Sequence, residues 1–285
     1  MGYLHIDNLY KSQDILMFRE CYALEKIDGT SAHVAWKDGA MRFFSGGAKH
    51  QHFLGCFDQE ALSEAFVKLG HDAVVVYGEA HGGKVQGQSG RYGPALRFAA
   101  FDVRVGEAWV SAPNAEDISG KLGLDFVGYV KTPTDIEALN ALRDAPSCQS
   151  MRNGMGLHSM EGVVLRPLAE MYRSDGKRII AKHKRDEFRE TKTRREVNAE
   201  TLKILQDADS IAQEWVTEMR LRHVLDKLPP GLGIEGTPEV IRAMVEDVMR
   251  EGAGEVVDSK PVRRVIGSAA AKLFKRHLRS ALEGA

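Results

Sequence analysis

The spacing of apolar residues changes once along this chain, and that change limits the folds that it can form. From residue 1 to about 190, short apolar runs alternate with glycine-rich breaks, a pattern typical of strands. The turn 37–40 makes a hairpin, and helical spacing is found at Gln59–Leu69 and Thr134–Arg143. The predicted strands are Cys21–Glu25, Ser31–Trp36, Met41–Phe44, Ala73–Tyr77, Leu96–Val103, Gly162–Arg166 and Arg178–Lys182.

From about residue 197 onward the apolar spacing becomes helical. One helix is predicted over Ala199–Leu228, where two prolines and a glycine end it. A second begins at Thr237, as N-cap, with Pro238 in the first helical position, and a third follows Pro261. The sequence therefore predicts an α+β domain with antiparallel sheets over residues 1–195 and a small all-helical domain over 196–285.

Composition excludes several classes of protein. The chain has 285 residues with 39 Lys and Arg against 40 Asp and Glu, so its total charge does not identify a nucleic-acid binder. Its three cysteines are far apart, which argues against a disulfide framework or a zinc site. Neither a secretory signal nor an apolar run of membrane-spanning length is recognisable. We therefore expect a soluble protein of the cytoplasm, or a phage-encoded protein acting in its host's cytoplasm.

Lys26 is the first candidate for chemistry. It follows an apolar strand and precedes Ile27, Asp28 and Gly29, so a rigid strand end could project it into a cleft. A lysine nucleophile must lose its proton, which requires a lowered pKa from burial or neighbouring cations. The same tetrapeptide is equally compatible with an ordinary hairpin carrying a solvated lysine.

A second candidate region begins with the strand that ends near Glu79. The segment Gly78–Lys84 has the spacing of a phosphate-binding P-loop, but Val85 stands where that loop needs Ser or Thr. The Gly- and Pro-rich stretch that follows is unsuited to opening a helix, so we reject the P-loop. What remains is a strand-end carboxylate, suited to a ribose hydroxyl or a metal, followed by a flexible loop.

Three further segments carry chemistry-bearing residues. Phe101 could stack on a purine, and Asp102 lies in an apolar run where a buried carboxylate needs partners. Glu161 enters a strand and suits a metal-facing carboxylate. Lys182 and Lys184 lie two apart on an extended segment and so share a face, where an anion such as a phosphate would separate their charges.

Taken in order, these pieces resemble the motif series of covalent nucleotidyltransferases, which include polynucleotide ligases and mRNA capping enzymes. Within that group the chain looks most like the RNA ligase 2 family of phage nick-sealing and RNA-editing ligases. The resemblance covers about residues 20–190. It rests on residues 25–30, on the loop 85–93 before residues 101–103, on 161–167, and on 182–184 with Phe188.

The resemblance implies a fold, a reaction and roles for named residues. The fold would be an ATP-grasp-like ligase adenylation domain, and the reaction would be ATP-dependent joining of RNA ends with Mg²⁺ or Mn²⁺. Lys26 would form lysyl–AMP, with Glu25 and Ile27 beside it contacting the nucleotide. Further implied roles are ribose binding by Glu79, adenine stacking by Phe101, metal binding by Glu161 and phosphate binding by Lys182 and Lys184. The RNA could be a nicked duplex or an RNA/DNA hybrid.

Two positions depart from that family's pattern. Ser45 stands where the phage branch usually has an arginine, so Arg42 or Lys49 would have to serve. Ser31 stands where nick-sealing members often have an asparagine, a residue associated with steps after lysyl–AMP formation. The departure at Ser31 bears on substrate preference more than on the first step.

Other functions stay open at this stage. A minimal ATP-dependent DNA ligase or a capping guanylyltransferase would need a β-barrel where this chain predicts helices. A non-catalytic nucleic-acid-binding protein would need neither Lys26 nor Glu161. The last predicted helix would suit such a protein because basic residues recur along it without an acid among them, although a solvated helix face gives the same pattern. These residues are Lys260, Arg263, Arg264, Lys272, Lys275, Arg276 and Arg279. A second basic run comprises Arg185, Arg189, Lys192, Arg194 and Arg195.

Overall fold

The computed structural model describes residues 2–188, 190–192 and 208–283. The chain divides into two compact units, residues 1–185 and 186–285, and each has its own hydrophobic core. The domain boundary predicted near residue 195 lies outside the described residues, as do Arg189, Arg194 and Arg195 of the second basic run.

The first unit is built on two antiparallel sheets. Its nine described strands are β1 (Glu20–Lys26), β2 (Thr30–Lys37), β3 (Ala40–Ser45), β4 (Ala73–Gly82), β5 (Leu96–Val105), β6 (Ala108–Trp109), β7 (Tyr129–Pro133), β8 (Gly162–Pro167) and β9 (Ala181–Lys184). One sheet has the order β7-β1-β8-β9 and the other the order β3-β2-β4-β5-β6. The chain passes from the first sheet to the second between β1 and β2, and only residues 27–29 separate these two strands.

Apolar alternation explains why the second sheet buries one face. Ala32, Val34 and Trp36 of β2 pack with Val74 and Val76 of β4 in the core, whereas the intervening residues point to the opposite face. The hairpin of β2 and β3 turns at Asp38 and Gly39, both with positive φ. This is the turn that the sequence predicted, and it fixes the register of β3 on β2.

Six helices connect these strands. They are α1 (His50–Leu54), α2 (Gln59–Leu69), α3 (Ser89–Tyr92), α4 (Ala112–Lys121), α5 (Ile136–Arg143) and α6 (Cys148–Arg152). The side chains of Asp58, Asp135 and Ser147 cap α2, α5 and α6, and each accepts a hydrogen bond from the backbone N–H of the helix's third residue.

The described part of the second unit is helical. It contains α7 (Ala208–Trp215), α8 (Glu218–Asp226), α9 (Thr237–Glu251) and α10 (Lys260–Glu283). Trp215, Met244 and Phe274 are fully buried and join three of these helices in one core. Arg220 is also buried and pairs with Asp247 at 2.6 Å and Glu190 at 3.3 Å, so its charge is neutralised inside the unit.

Several predicted elements need correction. The helix predicted over Ala199–Leu228 is broken, because α7 ends at Trp215 and Thr217 caps a separate α8. Gly236, not Thr237, is the N-cap of α9, so Thr237 and Pro238 are its first two residues. The strand predicted over Arg178–Lys182 spans Ala181–Lys184. Among the described residues, no helix combines the length and the apolar character that crossing a membrane requires.

Candidate active site

Lys26, Glu161 and Lys184 converge at the end of the four-stranded sheet. The Lys26 Nζ lies 2.7 Å from one carboxylate oxygen of Glu161, and the Lys184 Nζ lies 2.8 Å from the other. Glu161 exposes only 2% of its side chain, against 24% for Lys26, so solvent reaches this triad from the lysine side. Two cations and one anion leave the triad with a net charge of +1, which favours an anionic ligand.

The strand register explains why these lysines meet. Gly162 of β8 pairs with Lys26 of β1 on one side and with Lys184 of β9 on the other. Directly paired residues share a sheet face, so the two lysines flank a position without a side chain. A Cβ at Gly162 would overlap the His183 carbonyl oxygen, so only glycine fits beside Glu161.

The pKa of Lys26 shifts in the direction opposite to the one expected from the sequence. Burial lowers the pKa of Lys26, but the Glu161 carboxylate raises it, and the net direction is upward. The charge of Lys184 lowers this pKa and that of Glu79 raises it. The prediction of a lowered pKa is therefore wrong for this arrangement, because the Glu161 carboxylate lies against Nζ.

Glu79 approaches the triad from the other sheet. It lies on β4 opposite Ser31, and its carboxylate is close enough to raise the pKa of Lys26. A Cβ on Gly29 would be 2.9 Å from the Cγ of Glu79 and would overlap the Ala80 carbonyl oxygen. Gly29 thus permits the close approach of the β1–β2 turn to β4. The prediction of a flexible loop directly after Glu79 is wrong, because β4 continues to Gly82.

The residues flanking Lys26 point away from its amine. Glu25 is buried, accepts a hydrogen bond from the Ser147 hydroxyl and accepts another from the Gln149 N–H at 3.0 Å. Burial raises the pKa of this carboxyl. Ile27 is buried in the core of the unit. A nucleotide role for Glu25 and Ile27 stays a prediction, and their side chains hold β1 in place.

Lys182 is positioned by a segment that sequence analysis left unassigned. Its backbone N–H donates to the Asp7 carbonyl at 2.9 Å, and its carbonyl accepts from the Leu9 N–H at 2.8 Å. Residues 7–9 thereby cover the outer edge of β9, on which Lys182 and Lys184 share one face. His183 faces the other way and contacts Asn140 at 2.8 Å.

Phe101 lies at an irregularity in β5. Tyr77 pairs with Asp102 and Gly78 with Ala100, so Phe101 is the extra residue of a β-bulge, a feature that redirects side chains. The ring of Tyr3 meets that of Phe101 edge-on at 4.8 Å. Tyr3 gave no signal in the sequence because nothing local indicates that residue 3 reaches β5.

Asp102 has the partners that its burial requires. It is fully buried and pairs with Arg166 at 2.9 Å and with Arg178 at 2.7 Å. The Tyr3 hydroxyl donates to it at 2.5 Å, and Arg178 also stacks over Trp109 at 4.2 Å. Glu170 pairs with both arginines, which makes the cluster neutral, and the cluster supports the strand that carries Phe101.

We expect Tyr3→Phe to lower the free energy of unfolding by about 1.5–3 kcal/mol, the range for hydrogen bonds to charged groups. The substitution removes the hydroxyl that donates to Asp102 but keeps the ring against Phe101. Urea denaturation measures the change. Tyr172→Phe is the control, because that ring is 49% exposed and should change stability by less than about 0.5 kcal/mol. Equal stability of the two variants would contradict the role given to the hydroxyl.

Stability should fall as the pH decreases through the ordinary histidine pKa of 6.5. His81 is buried, its Nδ1 donates to the Glu79 carbonyl at 3.2 Å, and burial lowers its pKa. The unfolded chain therefore takes up a proton at a pH where the folded chain does not. The contribution of His81 to stability is fully present above pH 6.5 and is lost as the pH falls below that value. Thermal melts from pH 7.5 to 5 should show a smaller slope for His81→Asn and an unchanged slope for the exposed His50→Asn. A slope unchanged by His81→Asn would contradict this.

The substitute for the missing arginine stays unassigned. Arg42 and Lys49 are both exposed, and Ser45 accepts a hydrogen bond from the Ala48 N–H at 3.2 Å. Ser31 is the register partner of Glu79. The interpretation that Arg42 or Lys49 replaces that arginine remains a prediction.

Among the described residues, no cluster of three or more His, Cys, Asp or Glu side chains forms a metal site. Glu161 offers a hard carboxylate at a position where a phosphate would bring further oxygens. That donor set fits Mg²⁺ or Mn²⁺, which are commonly held by one or two carboxylates together with substrate phosphates.

Two antiparallel sheets that bring a strand-end lysine to a buried glutamate, with a helical unit after them, define a nucleotidyltransferase fold of the ligase type. The sequence profile of the RNA ligase family matches residues 19–184, more than half of the chain. The chain belongs to the RNA ligase family. A search of curated protein sequences gave no match.

Solved structures of an RNA ligase from Naegleria gruberi share this fold. The structure with pyrophosphate has a TM-score of 0.53 and 16% identity, covering 66% of this chain and 57% of that one. A point mutant with ATP and Mn gives a TM-score of 0.52 at 16% identity, with coverages of 66% and 56%. Another mutant, with AMP and Mn, gives 0.52 at 16%, with coverages of 66% and 57%. The chain thus spans little more than half of the N. gruberi ligase.

Proposed function

We propose that this protein is an ATP-dependent RNA ligase that joins 3′-hydroxyl and 5′-phosphate ends through a lysyl–AMP intermediate. The observation that carries the proposal is the convergence of Lys26, Glu161 and Lys184 within the region matched by the RNA ligase family. Phosphoryl transfer uses a nucleophile, a carboxylate and a second cation held close together.

The proposed reaction has three steps. In the first, the Lys26 ammonium gives up a proton, and its nitrogen then bonds to the α-phosphorus of ATP, releases a second proton and displaces pyrophosphate. In the second, a 5′-phosphate oxygen of the RNA bonds to that phosphorus, and the nitrogen–phosphorus bond breaks. In the third, a 3′-hydroxyl oxygen bonds to the 5′-phosphorus of the strand, and AMP leaves with the electron pair of the broken bond.

The described contacts support a division of roles. Lys184, 2.8 Å from Glu161, would neutralise charge on the α-phosphate, and so would Lys182, on the same face of β9. Glu79 reaches the site from β4 and would bind the ribose, while Phe101 would stack on the adenine. Attack requires the Lys26 Nζ to separate from Glu161, because that carboxylate holds the pKa of the amine above its usual value.

Glu161 would hold the divalent metal, Mg²⁺ or Mn²⁺, together with phosphate oxygens. When bound, such an ion supplies positive charge to the non-bridging oxygens of the transferring phosphate. The N. gruberi structures with ATP, AMP and Mn support this pairing of nucleotide and metal for a protein of the same fold.

The two units would have different functions. The first, containing Lys26 and Glu161, would carry out nucleotidyl transfer, and the helical unit would contact nucleic acid. The substrate would be RNA, as a nicked duplex or an RNA/DNA hybrid, in the cytoplasm of a cell or of a phage-infected host. The helices of residues 208–283 disfavour a minimal DNA ligase, which would have a β-barrel after the last motif.

A labelling experiment tests the proposed function. Incubation with α-labelled ATP and Mg²⁺ or Mn²⁺, then denaturing electrophoresis, should leave label on the protein. Added pyrophosphate should release it as ATP, and added nicked RNA duplex should release it as AMP with one new phosphodiester. The absence of label with every nucleotide and metal would contradict the ligase and favour a non-catalytic nucleic-acid-binding protein.

A further inference from the structure

The hairpin of β2 and β3 exposes an aromatic ring on the sheet face that also carries Glu79. Side chains alternate along β3, so Phe43 packs against the core whereas Phe44 points to the opposite face, where 40% of it is exposed. β3 lies at one edge of its sheet. Edge strands usually carry charged residues at such positions, so an exposed phenylalanine is an unusual choice there.

Strand pairing extends this ring into an aromatic row. His33 of β2 pairs directly with Phe44 on one side and with Tyr77 of β4 on the other. The rings of His33 and Phe44 are stacked, with centroids 5.1 Å apart and planes 21° from parallel. Burial lowers the pKa of His33, so near pH 7 its ring is uncharged and packs as an aromatic. One face of Phe44 thus rests on His33, and the other can receive a flat ligand. We call Phe44, His33 and Tyr77 the aromatic row.

Two cations lie beside the aromatic row on the same face of the sheet. Arg42 is two residues from Phe44 on β3. Lys37 is four residues from His33 on β2. Both cations are exposed, and neither pairs with an acid of the described residues. Within β2, β3 and β4, Glu79 is the one acid. Aromatic rings next to available cations are the combination that binds a nucleotide strand, because bases stack on the rings and phosphates pair with the cations.

The aromatic row lies close to the candidate active site. Glu79 is two residues from Tyr77 on the same face of β4, which is roughly 7 Å along the strand. Phe44 is two strands away from Glu79, roughly 10 Å across the sheet. The combined separation is about 12 Å, the length of about three or four nucleotides in a stacked strand. A base bound at Phe44 would therefore belong to a nucleotide near the ends to be joined.

We propose that Phe44 stacks a base of the RNA substrate while Arg42 and Lys37 contact the phosphates beside it, so that the protein joins ends with an unpaired nucleotide near the break. A base offers its flat face to a side chain only where it is not stacked between neighbours in a duplex. The inference rests on the proposed function for the identity of the strand. An apolar protein surface could also cover the ring, but it would leave both cations without partners.

Photocrosslinking tests where the base binds. The wild-type protein would be irradiated with RNA that carries 5-iodouracil at one of about four positions on either side of the break, without ATP. Mass spectrometry then identifies the crosslinked peptide. A crosslink to Phe44 is expected from at least one of these positions, and none from a paired position remote from the break. Crosslinks confined to the helical unit, or none at any position, would overturn the proposal.

Binding measurements test the preference for an unpaired base. Fluorescence anisotropy would compare a fully paired nicked RNA duplex with the same duplex carrying one mismatched nucleotide near the break. The wild-type protein should bind the mismatched RNA at least about 5-fold more tightly, the lower end of the range for one stacked base. Phe44→Ala should remove this preference, and Phe44→Tyr should retain it. Equal wild-type affinities, or a preference that survives in Phe44→Ala, would contradict the stacking.

The control variant is Tyr172→Ala, which removes another exposed ring of the first unit. Tyr172 is 49% exposed and lies outside the aromatic row, so this variant should keep the wild-type preference. Circular dichroism melts would verify that each variant folds, and the crosslink needs no variant at all. Loss of the preference in Tyr172→Ala as well would show that the effect is not specific to Phe44.

Salt dependence separates the two kinds of contact. Arg42→Ala should reduce the slope of log K against log salt by about 0.7, for one lost phosphate contact of a single strand. Phe44→Ala should weaken binding without changing that slope, because stacking releases no counterion. A slope that Arg42→Ala leaves unchanged would overturn the phosphate contact.

Failure of this inference is distinguishable from failure of the proposed function. Label transfer from ATP needs no RNA, and crosslinking needs no ATP. A protein that crosslinks through Phe44 but takes no label would retain the stacking site and lose the ligase. A protein that takes label but crosslinks elsewhere would retain the ligase and lose the stacking site.

Discussion

Replacing Lys26 with alanine should reduce labelling of the protein from α-labelled ATP by at least about 10³-fold, because the substitution removes the nucleophile. The Lys26→Arg variant should be equally inactive, since a guanidinium keeps its charge and does not attack phosphorus. Gel autoradiography measures both. The affinity for a labelled duplex should stay within about 3-fold of the wild-type value, because the proposed role of Lys26 is nucleophilic attack on ATP and not the binding of nucleic acid.

The control for Lys26 is another ion-paired strand lysine of the same sheet. Lys131 on β7 contacts Glu20 at 2.8 Å, on the surface, and Lys131→Ala should label at the wild-type rate. Its loss should leave stability nearly unchanged, because exposed ion pairs contribute little to folding. Persistent label on Lys26→Ala would show that a different residue carries AMP and would remove the basis of the proposed function.

Glu161→Gln should lower the rate of lysyl–AMP formation by about 10²-fold or more, the loss expected when a metal-facing carboxylate is neutralised. Half-maximal labelling should also require more Mn²⁺. If Glu161 served only as the ion-pair partner of Lys26, the substitution would lower the pKa of the amine and speed its attack near pH 7. The sign of the rate change therefore separates the two roles.

Stability needs its own control, because Glu161→Gln leaves two lysines without their shared carboxylate. Glu170 offers a match: it is a mostly buried glutamate between two cations, pairing with Arg166 and with Arg178 at 2.8 Å. Both substitutions should reduce stability, by up to about 3–5 kcal/mol for a broken buried pair. Only Glu161→Gln should change the metal requirement; the same change in Glu170→Gln would trace the effect to folding.

The proposed substrate follows from the two units considered separately. The first unit presents a triad with net positive charge and a glutamate from the second sheet, which suit a nucleotide. The second presents exposed cations along α10, which suit the phosphates of nucleic acid. Each assignment has its own assay, so one can stand if the other is contradicted.

Local sequence determined much of the fold. Short apolar runs indicated β2 and β4, the turn at Asp38 and Gly39 indicated the β3 hairpin, and helical spacing indicated α2. These features depend on neighbours within a few residues, which is why pattern alone indicated them. The break between α7 and α8 was missed because apolar spacing continues across Thr217, although its side chain caps a new helix.

The order of motifs also indicated the family, but tertiary structure decided the geometry of the site. Lys26, Glu161 and Lys184 meet because β8 lies between β1 and β9, a strand order that the sequence does not state. The contact with Glu161 raises the pKa of Lys26, whereas the sequence led us to expect a lowered value. The carboxylate responsible lies 135 residues away in the chain.

The contributions of the N-terminal segment came only from the tertiary structure. The contact of Tyr3 with Phe101 and the backbone bonds of Asp7 and Leu9 to Lys182 join residues separated by more than 90 positions, and no local pattern encodes them. The sequence by itself determined which residues could do chemistry, through their types and order. Strand pairing decided which of them touch, because electrostatic and hydrogen-bonding energies depend on distances that only the packed chain sets.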